Sequence, residues 1–268
     1  MKEYQRYFDL NKAAWNRRTP VHCRSKFYDL EGFKSGKSSL NYIELEEVGE
    51  VRGKSLLHLQ CHFGQDTLSW ARLGAEVTGA DLSDAAIETA QGLAAELQLP
   101  AEFICANVLE LDRHLKQQYD IIFTSYGVLT WLPDLPRWGE VIAKALKPGG
   151  FFYIVEFHPM LHVLDYHKPE GIAHPYFDTR EAYEEVFTGT YTDGGEDLEL
   201  HDVEWRHSIS DIINALTGQG LRLEYFNEFP FSVYNCFPDM VEAGEGRWVF
   251  KDIGGKIPYL FSLKARKG

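Results

Sequence analysis

Basic residues are in deficit, with 27 Lys and Arg against 40 Asp and Glu and a net charge of −13. That balance argues against a nucleic-acid binder, because phosphate contacts need clustered Lys and Arg. Cysteine is scarce as well: Cys23, Cys61, Cys105 and Cys236 are scattered and form no C-x-x-C pair. A disulfide framework or zinc knuckle is therefore not expected, and a reducing compartment is the plain reading. No apolar run approaches the roughly 18 residues that suggest a membrane span. The opening MKEYQRYFDL lacks the apolar segment of a secretory leader, so a cytoplasmic protein that does not span a membrane is expected. No repeat period and no low-complexity tract is visible, which sets solenoids aside.

The chain has 268 residues, 44% hydrophobic and 14% aromatic, enough for a sizeable core. From residue 54 onward, short apolar runs alternate with helical patterns. Strands are expected at 55–59, 77–80, 101–105, 121–124, 151–157, 221–226 and 259–265. Helices are expected at 66–73, from the N-cap Ser83 to Leu97, from Asp134 to Leu146, and at 210–219. Lys147-Pro148-Gly149-Gly150 reads as a turn. This rhythm predicts an α/β fold with a doubly wound, mostly parallel sheet and an antiparallel last strand. One domain is expected over 1–268. Residues 1–50 read as short helices and loops, and 158–206 as an insertion outside the regular pattern.

In such sheets ligands bind at the carboxyl ends of the strands. The residues there are Gln60-Cys61-His62-Phe63-Gly64, Asp81-Leu82-Ser83, Asn107-Val108, Ser125-Tyr126-Gly127 and Glu156-Phe157-His158. An acid at the end of the second strand, about 20 residues past the first turn, suits a ribose in either a nicotinamide enzyme or a methyltransferase.

The segments LLHLQCHFGQDTLSWARLGAEVTGADLS, DIIFTSYGVLTWLPDL and LKPGGFFYIVEFHP together resemble the class I S-adenosylmethionine-dependent methyltransferases over about residues 54–160. The likeness is greatest to bacterial small-molecule enzymes of the type 11 group. It implies a seven-stranded Rossmann-like sheet and S-adenosylmethionine as cofactor, with S-adenosylhomocysteine as product. It also implies in-line transfer of the methyl group to a small-molecule acceptor. The first motif departs from the family's G-x-G-x-G after an acid: His58 replaces the acid, Gln60 and His62 replace two glycines, and Gly64 alone matches. Gln60 and His62 must then adopt ordinary dihedrals or carry strain. A nicotinamide-linked oxidoreductase is the alternative, although G-x-G-x-x-G is missing. A non-catalytic cofactor-binding protein of the same fold is another.

The resemblance places Gln60, Cys61, His62, Phe63, Gly64, Asp81, Leu82, Asn107, Val108, Ser125 and Tyr126 around the cofactor. Asp81 would clamp the ribose, Asn107 and Val108 would meet the adenine, and His62 would hydrogen-bond the carboxylate. Asp66 reads as a dipole-favoured acid at a helix start. Tyr126 is the aromatic placed to face the sulfonium, while Trp131 and Trp138 read as core. Glu156 and His158 are the candidate proton acceptors. His158, His162 and His167 are spaced 4 and 5 apart, which can suggest a metal, but Pro159 interrupts a single helix across them and no nearby acid–cysteine set completes a tetrahedron, so no metal is expected. The acidic run Glu196–Glu204 reads as a solvated loop or edge strand. Trp15, Arg17, Arg18 and His22 are placed in an N-terminal lid, and 158–206 in a wall of the substrate pocket. Monomer and homodimer are left undecided.

Overall fold

Seven strands pair into one sheet: β1 (Ser55–Leu59), β2 (Glu76–Asp81), β3 (Ala101–Cys105), β4 (Tyr119–Ser125), β5 (Leu146–Phe157), β6 (Leu221–Phe229) and β7 (Leu260–Lys267). The computed structural model describes residues 2–165, 168–177 and 180–268. Strand order is β6-β7-β5-β4-β1-β2-β3. β1–β5 are mutually parallel, and β7 runs antiparallel to both β5 and β6. Burial on both faces explains why β1 and β5 read as near-continuous apolar runs. The order reverses between β1 and β4, so a crevice opens at their carboxyl ends.

Seven α-helices accompany the sheet among the described residues: α1 (Gln5–His22), α2 (Leu30–Lys34), α3 (Tyr42–Val48), α4 (Gln65–Arg72), α5 (Asp84–Leu97), α6 (Leu135–Ala145) and α7 (Ile209–Thr217). Their starts are set by side-chain caps. Ser83 accepts from Ala86 N at 3.0 Å, and Asp134 accepts from Arg137 N at 2.9 Å. Ser208 and Asp211 form a capping box ahead of α7. Gly139 lets α6 and α7 touch: a Cβ there would stand 2.1 Å from the Ala215 carbonyl oxygen.

Three expectations need correction. Residues 1–50 include one long helix, α1, of 18 residues, with Pro20 in its last turn. A missing N–H there removes one helical hydrogen bond, and the helix ends two residues later. Lys147–Gly150 is a kinked entry to β5 rather than a separate turn. Gly149 has φ +77°, and the register against β4 slips between Tyr119 and Ile121. The insertion is also more regular than expected, with Tyr183–Thr188 and Glu199–Glu204 forming an antiparallel hairpin. Tyr166 and His167 lie outside the described residues. No described helix is long and apolar enough to cross a membrane.

Candidate active site

The turn after β1 is where the chain departs most from an ordinary glycine loop. Gln60 has φ +54° and His62 φ +49°, in the left-handed region that glycine occupies freely. Each costs about 1–2 kcal/mol relative to a right-handed residue. The backbone path of a glycine loop is thus retained while two side chains are added. Gly64, φ +82°, cannot be replaced in the same way. A Cβ on it would lie 2.9 Å from Ala90 Cβ and from the Phe103 ring. Cys61 and Phe63 are buried between these positions and anchor the turn. Cys61 N donates to Ala80 O at 3.0 Å.

Both added side chains carry a polar atom without a partner. Gln60 Nε2 donates to Val128 O at 2.9 Å, which leaves Oε1 as a buried acceptor with no partner. His62 Nε2 lies 3.0 Å from His22 Nδ1, and His62 Nδ1 is buried and unpartnered. Burial, with His22 and Arg18 nearby, holds the His62 pKa well below the ordinary value. His22 is likewise lowered, to about 3, by burial and then by Arg18. Both imidazoles are therefore neutral at physiological pH, which removes an imidazolium as the carboxylate's partner. An unpaired buried polar group costs about 1–3 kcal/mol, so two on one turn are suited to meeting a ligand's polar atoms.

Asp81, at the end of β2, accepts from His62 N at 2.8 Å on Oδ2 and from Ser83 N at 2.9 Å on Oδ1. Each oxygen keeps lone-pair capacity. Burial raises its pKa while these backbone amides pull it back. Leu82 is half-buried beside it. Asn107 caps the short 3₁₀ turn after β3, its Oδ1 accepting from Leu109 N at 3.0 Å, and Val108 packs into the core below. His58 is a neutral buried residue here, lowered to about 3 by burial, with Nδ1 2.8 Å from Thr67 Oγ1.

The ends of β4 and β5 are organised differently. Tyr126 and Gly127 both have positive φ, +38° and +78°. This turn aims the amides of 127–129 at Glu156. The Glu156 carboxylate accepts from Gly127 N, from Val128 N at 2.7 Å, from Leu129 N at 3.1 Å and from Phe157 N at 2.6 Å. Burial raises its pKa, against the opposing pull of those four amides. With both oxygens committed to backbone donors, Glu156 is a clasp for the β4 turn; that conflicts with its expected role as proton acceptor. His158 conflicts too. Its Nδ1 accepts from Met160 N at 3.0 Å, and its Nε2 stands 3.0 Å from Glu228 on β6. Since β6 lies on the far side of β5 from β4, this imidazole faces away from the crevice. Beneath the clasp is a cavity of about 20 Å³, lined by Glu156, Thr130, His162 and Trp205 among others. That is room for one water.

Tyr126 has a well-defined setting. Its hydroxyl donates to Glu44 Oε2 at 2.8 Å, and its ring meets Tyr234 edge-on at 4.9 Å. Glu44 is fully buried and is raised to about 8, by burial and then by repulsion from Asp66. Asp66 accepts from Ser39 Oγ at 2.6 Å and from Ser125 Oγ at 3.2 Å. Asp66 is thus more than a helix-dipole acid, and Glu44, Tyr28 and Tyr234 extend the polar and aromatic group beyond what sequence reasoning selected. Glu44 had a sequence signal, because Asn41–Glu44 is a capping box. Tyr234 sits in a loop that no pattern marks. Trp138 is core, as expected; Trp131 is half-buried against Trp15 at 5.4 Å.

Helix α1 lies over this crevice. Asn11 exchanges two 2.8 Å hydrogen bonds with the Val203 backbone, and Arg18 pairs with Asp202. Asn16 accepts from Ser83 Oγ at 2.6 Å and donates to Asp84 at 2.7 Å, reaching the start of α5. Trp15 approaches His62 at 5.2 Å between ring centres. Arg17 is exposed and takes no part in the cover. Asp202 is buried, so the acidic run is a solvated edge only in part.

Residues 56–150 match a family model described as a methyltransferase domain. The chain is 34% identical over 134 residues to the ubiquinone biosynthesis O-methyltransferase of Proteus mirabilis, covering 48% of this chain and 54% of that protein. It thus spans about half the length of the curated relatives it matches. An S-adenosylmethionine-dependent methyltransferase from Clostridium acetobutylicum superposes with TM-score 0.58 at 15% identity, over 96% of this chain and 98% of that one. The magnesium protoporphyrin IX methyltransferase of Synechocystis, solved with bound S-adenosylhomocysteine, gives TM-score 0.51 at 16% identity, over 94% and 100%. Residues 56–150 are accordingly similar to a methyltransferase domain, and the chain as a whole has the fold of the S-adenosylmethionine-dependent methyltransferases.

Proposed function

We propose that this protein transfers the S-methyl group of S-adenosylmethionine to a small-molecule acceptor. The observation that carries the reading is that the turn after β1 bears two buried polar atoms without partners, Gln60 Oε1 and His62 Nδ1, and that the His62 backbone is tied to the Asp81 carboxylate at the end of β2. An acceptor, a potential N–H donor and an ionisable carboxylate suit the ammonium, the carboxylate and the ribose hydroxyls of that cofactor. When bound, the cofactor supplies an electrophilic methyl on a positively charged sulfur, and the protein's task is mainly to orient and exclude water.

Asp81 is assigned to the ribose hydroxyls, with Gln60 and His62 at the amino-acid end. Asn107 orders the turn that places Val108 and Leu82 as apolar walls for the adenine. Cys61, Phe63 and Gly64 hold the loop from beneath. Ser125, Tyr126, Tyr234, Asp66 and Glu44 are assigned to the acceptor side, where Tyr126 is a wall and Glu44 sets its hydroxyl. Glu156 is reassigned from proton acceptor to positioning residue, and His158 is left outside the site. Helix α1 and the Glu199–Glu204 strand close the crevice over Trp15 and Arg18. A small acceptor is favoured by this cover, by the net charge of −13 and by the named substrate of the curated relatives.

Calorimetry with S-adenosylhomocysteine and with NAD, followed by turnover on a metabolite panel, tests the reading. Micromolar binding of the former, about −8 kcal/mol, is expected. Heat with NAD alone would replace the reading by the oxidoreductase one. Cofactor binding without turnover would favour the non-catalytic alternative.

A further inference from the structure

We infer that His22, on helix α1, is a positioning residue for the cofactor: it sets the tautomer of His62 so that Nδ1 offers an N–H to the amino-acid carboxylate. The inference rests on the cofactor reading above and adds a residue outside the methyltransferase domain proper. Three groups stand in line. Thr190 Oγ1 is 2.9 Å from His22 Nε2, and His22 Nδ1 is 3.0 Å from His62 Nε2. His62 Nδ1 ends the line without a partner.

Two neutral imidazoles that share one hydrogen bond have two proton arrangements. In one, the Thr190 hydroxyl donates to His22 Nε2, His22 Nδ1–H donates to His62 Nε2, and His62 carries its proton on Nδ1. In the other, every donor and acceptor is reversed, and His62 Nδ1 is a bare lone pair. Neither arrangement changes net charge; the protons only shift along the line. The neighbouring Gln60 decides which suits the ligand. Its amide nitrogen is held by Val128 O, so it presents only the Oε1 acceptor. A second acceptor at His62 would leave an anionic carboxylate facing two lone pairs. The first arrangement pairs the ammonium with Gln60 and the carboxylate with His62.

His22 also belongs to the cover. Its ring is wholly buried, stacked on Tyr28 at 5.2 Å and close to Tyr191 at 4.8 Å. The same hydrogen bond that orients His62 therefore fastens the end of α1 to the cofactor loop. Closure of α1 and filling of the amino-acid subsite become one event.

Nitrogen-15 NMR of the imidazoles in the full chain, with and without S-adenosylhomocysteine, tests this without any substitution. Saturation should move His62 to the Nδ1–H signature. Calorimetry adds a second readout. His22→Leu should weaken S-adenosylhomocysteine binding about tenfold, the scale of one hydrogen bond to a charged ligand. His22→Asn, whose amide nitrogen can replace Nδ1 as donor, should recover most of it. His62 found as the Nε2–H tautomer in the saturated protein, or unchanged affinity in folded His22→Leu, overturns the inference alone. Failure of the unsubstituted protein to bind S-adenosylhomocysteine would overturn the cofactor reading and this inference with it.

Discussion

Arg18 and Asp202, separated by 184 positions in sequence, form a two-pronged ion pair with side chains 4% and 7% exposed. The guanidinium also lies over the rings of Trp15, at 5.0 Å, and Trp131, at 5.8 Å. The pair fastens α1 to the Glu199–Glu204 strand above the crevice, so it links the two segments that sequence reasoning placed on the substrate side. Removing one partner leaves a buried charge unpaired, which costs about 3–5 kcal/mol. Asp202→Asn should lower thermal stability and accelerate hydrogen exchange in α1 before the sheet. Equal acceleration throughout would show that α1 is an inseparable part of the core rather than a cover.

Asp81 should matter for the ligand more than for the fold. Two backbone amides already hold its carboxylate, and the remaining lone pairs are proposed to meet the ribose. Loss of a charge-assisted pair should weaken S-adenosylhomocysteine binding by about 1.5–3 kcal/mol in Asp81→Ala. Calorimetry on the folded variant checks this. Undiminished affinity would place the ribose elsewhere.

Glu156 separates a clasp from a base. Glutamine in its place would turn an N–H₂ toward backbone N–H donors, leaving at least one donor unsatisfied at about 1–3 kcal/mol. Glu156→Gln should lower the melting temperature and reduce turnover. Its residual activity should keep the shape of the original pH profile. A lost acidic limb with full thermal stability would restore Glu156 as a proton acceptor.

Much of the sheet was legible because parallel strands buried on both faces leave apolar runs that need no tertiary information. The strand-end rule then placed Gln60, His62 and Asp81 together, since connectivity alone dictates which ends are neighbours. Helix α1 was not legible as one element. Its buried residues include Asn11, Arg18, Thr19 and His22, so the apolar 3.6-residue period is weak. Asn11, Arg18 and His22 are buried because Val203, Asp202 and His62 satisfy them, and partners so distant leave no local trace. The backbone setting of Glu156 was not legible for a related reason. Three of its four backbone donors, from Gly127, Val128 and Leu129, are aimed by the positive φ of Tyr126 and Gly127, and nothing in the residue type of Tyr126 announces that.

Glu44 gives stability a pH dependence whose sign can be worked out. Its carboxyl has an ordinary value of 4.5 and is raised to about 8 by burial and by Asp66. Between those values the folded protein holds a proton that the unfolded chain has released. Folding stability therefore falls as pH rises from about 4.5 through 8, then levels off. Asp66 is shifted in the same direction, so the slope of the unsubstituted protein is not Glu44's alone. Comparison with Glu44→Gln isolates it. The amide keeps an oxygen acceptor for Asn41 N and turns its N–H₂ to the Tyr126 hydroxyl oxygen, which can accept, while removing the ionisation. Below pH 4.5, where the folded and the unfolded original both hold the Glu44 proton, the variant should be no more stable than the original, because a neutral carboxyl and an amide are then alike. Above pH 8 it should be the more stable by about 3–6 kcal/mol, since each unit between the ordinary and the raised value is worth about 1.4 kcal/mol. Denaturant melts at pH 4 and pH 8.5 measure both arms. Curves that stay parallel across that range would mean Glu44 is already ionised in the folded protein, stabilised by the Tyr126 hydroxyl and the Asn41 amide.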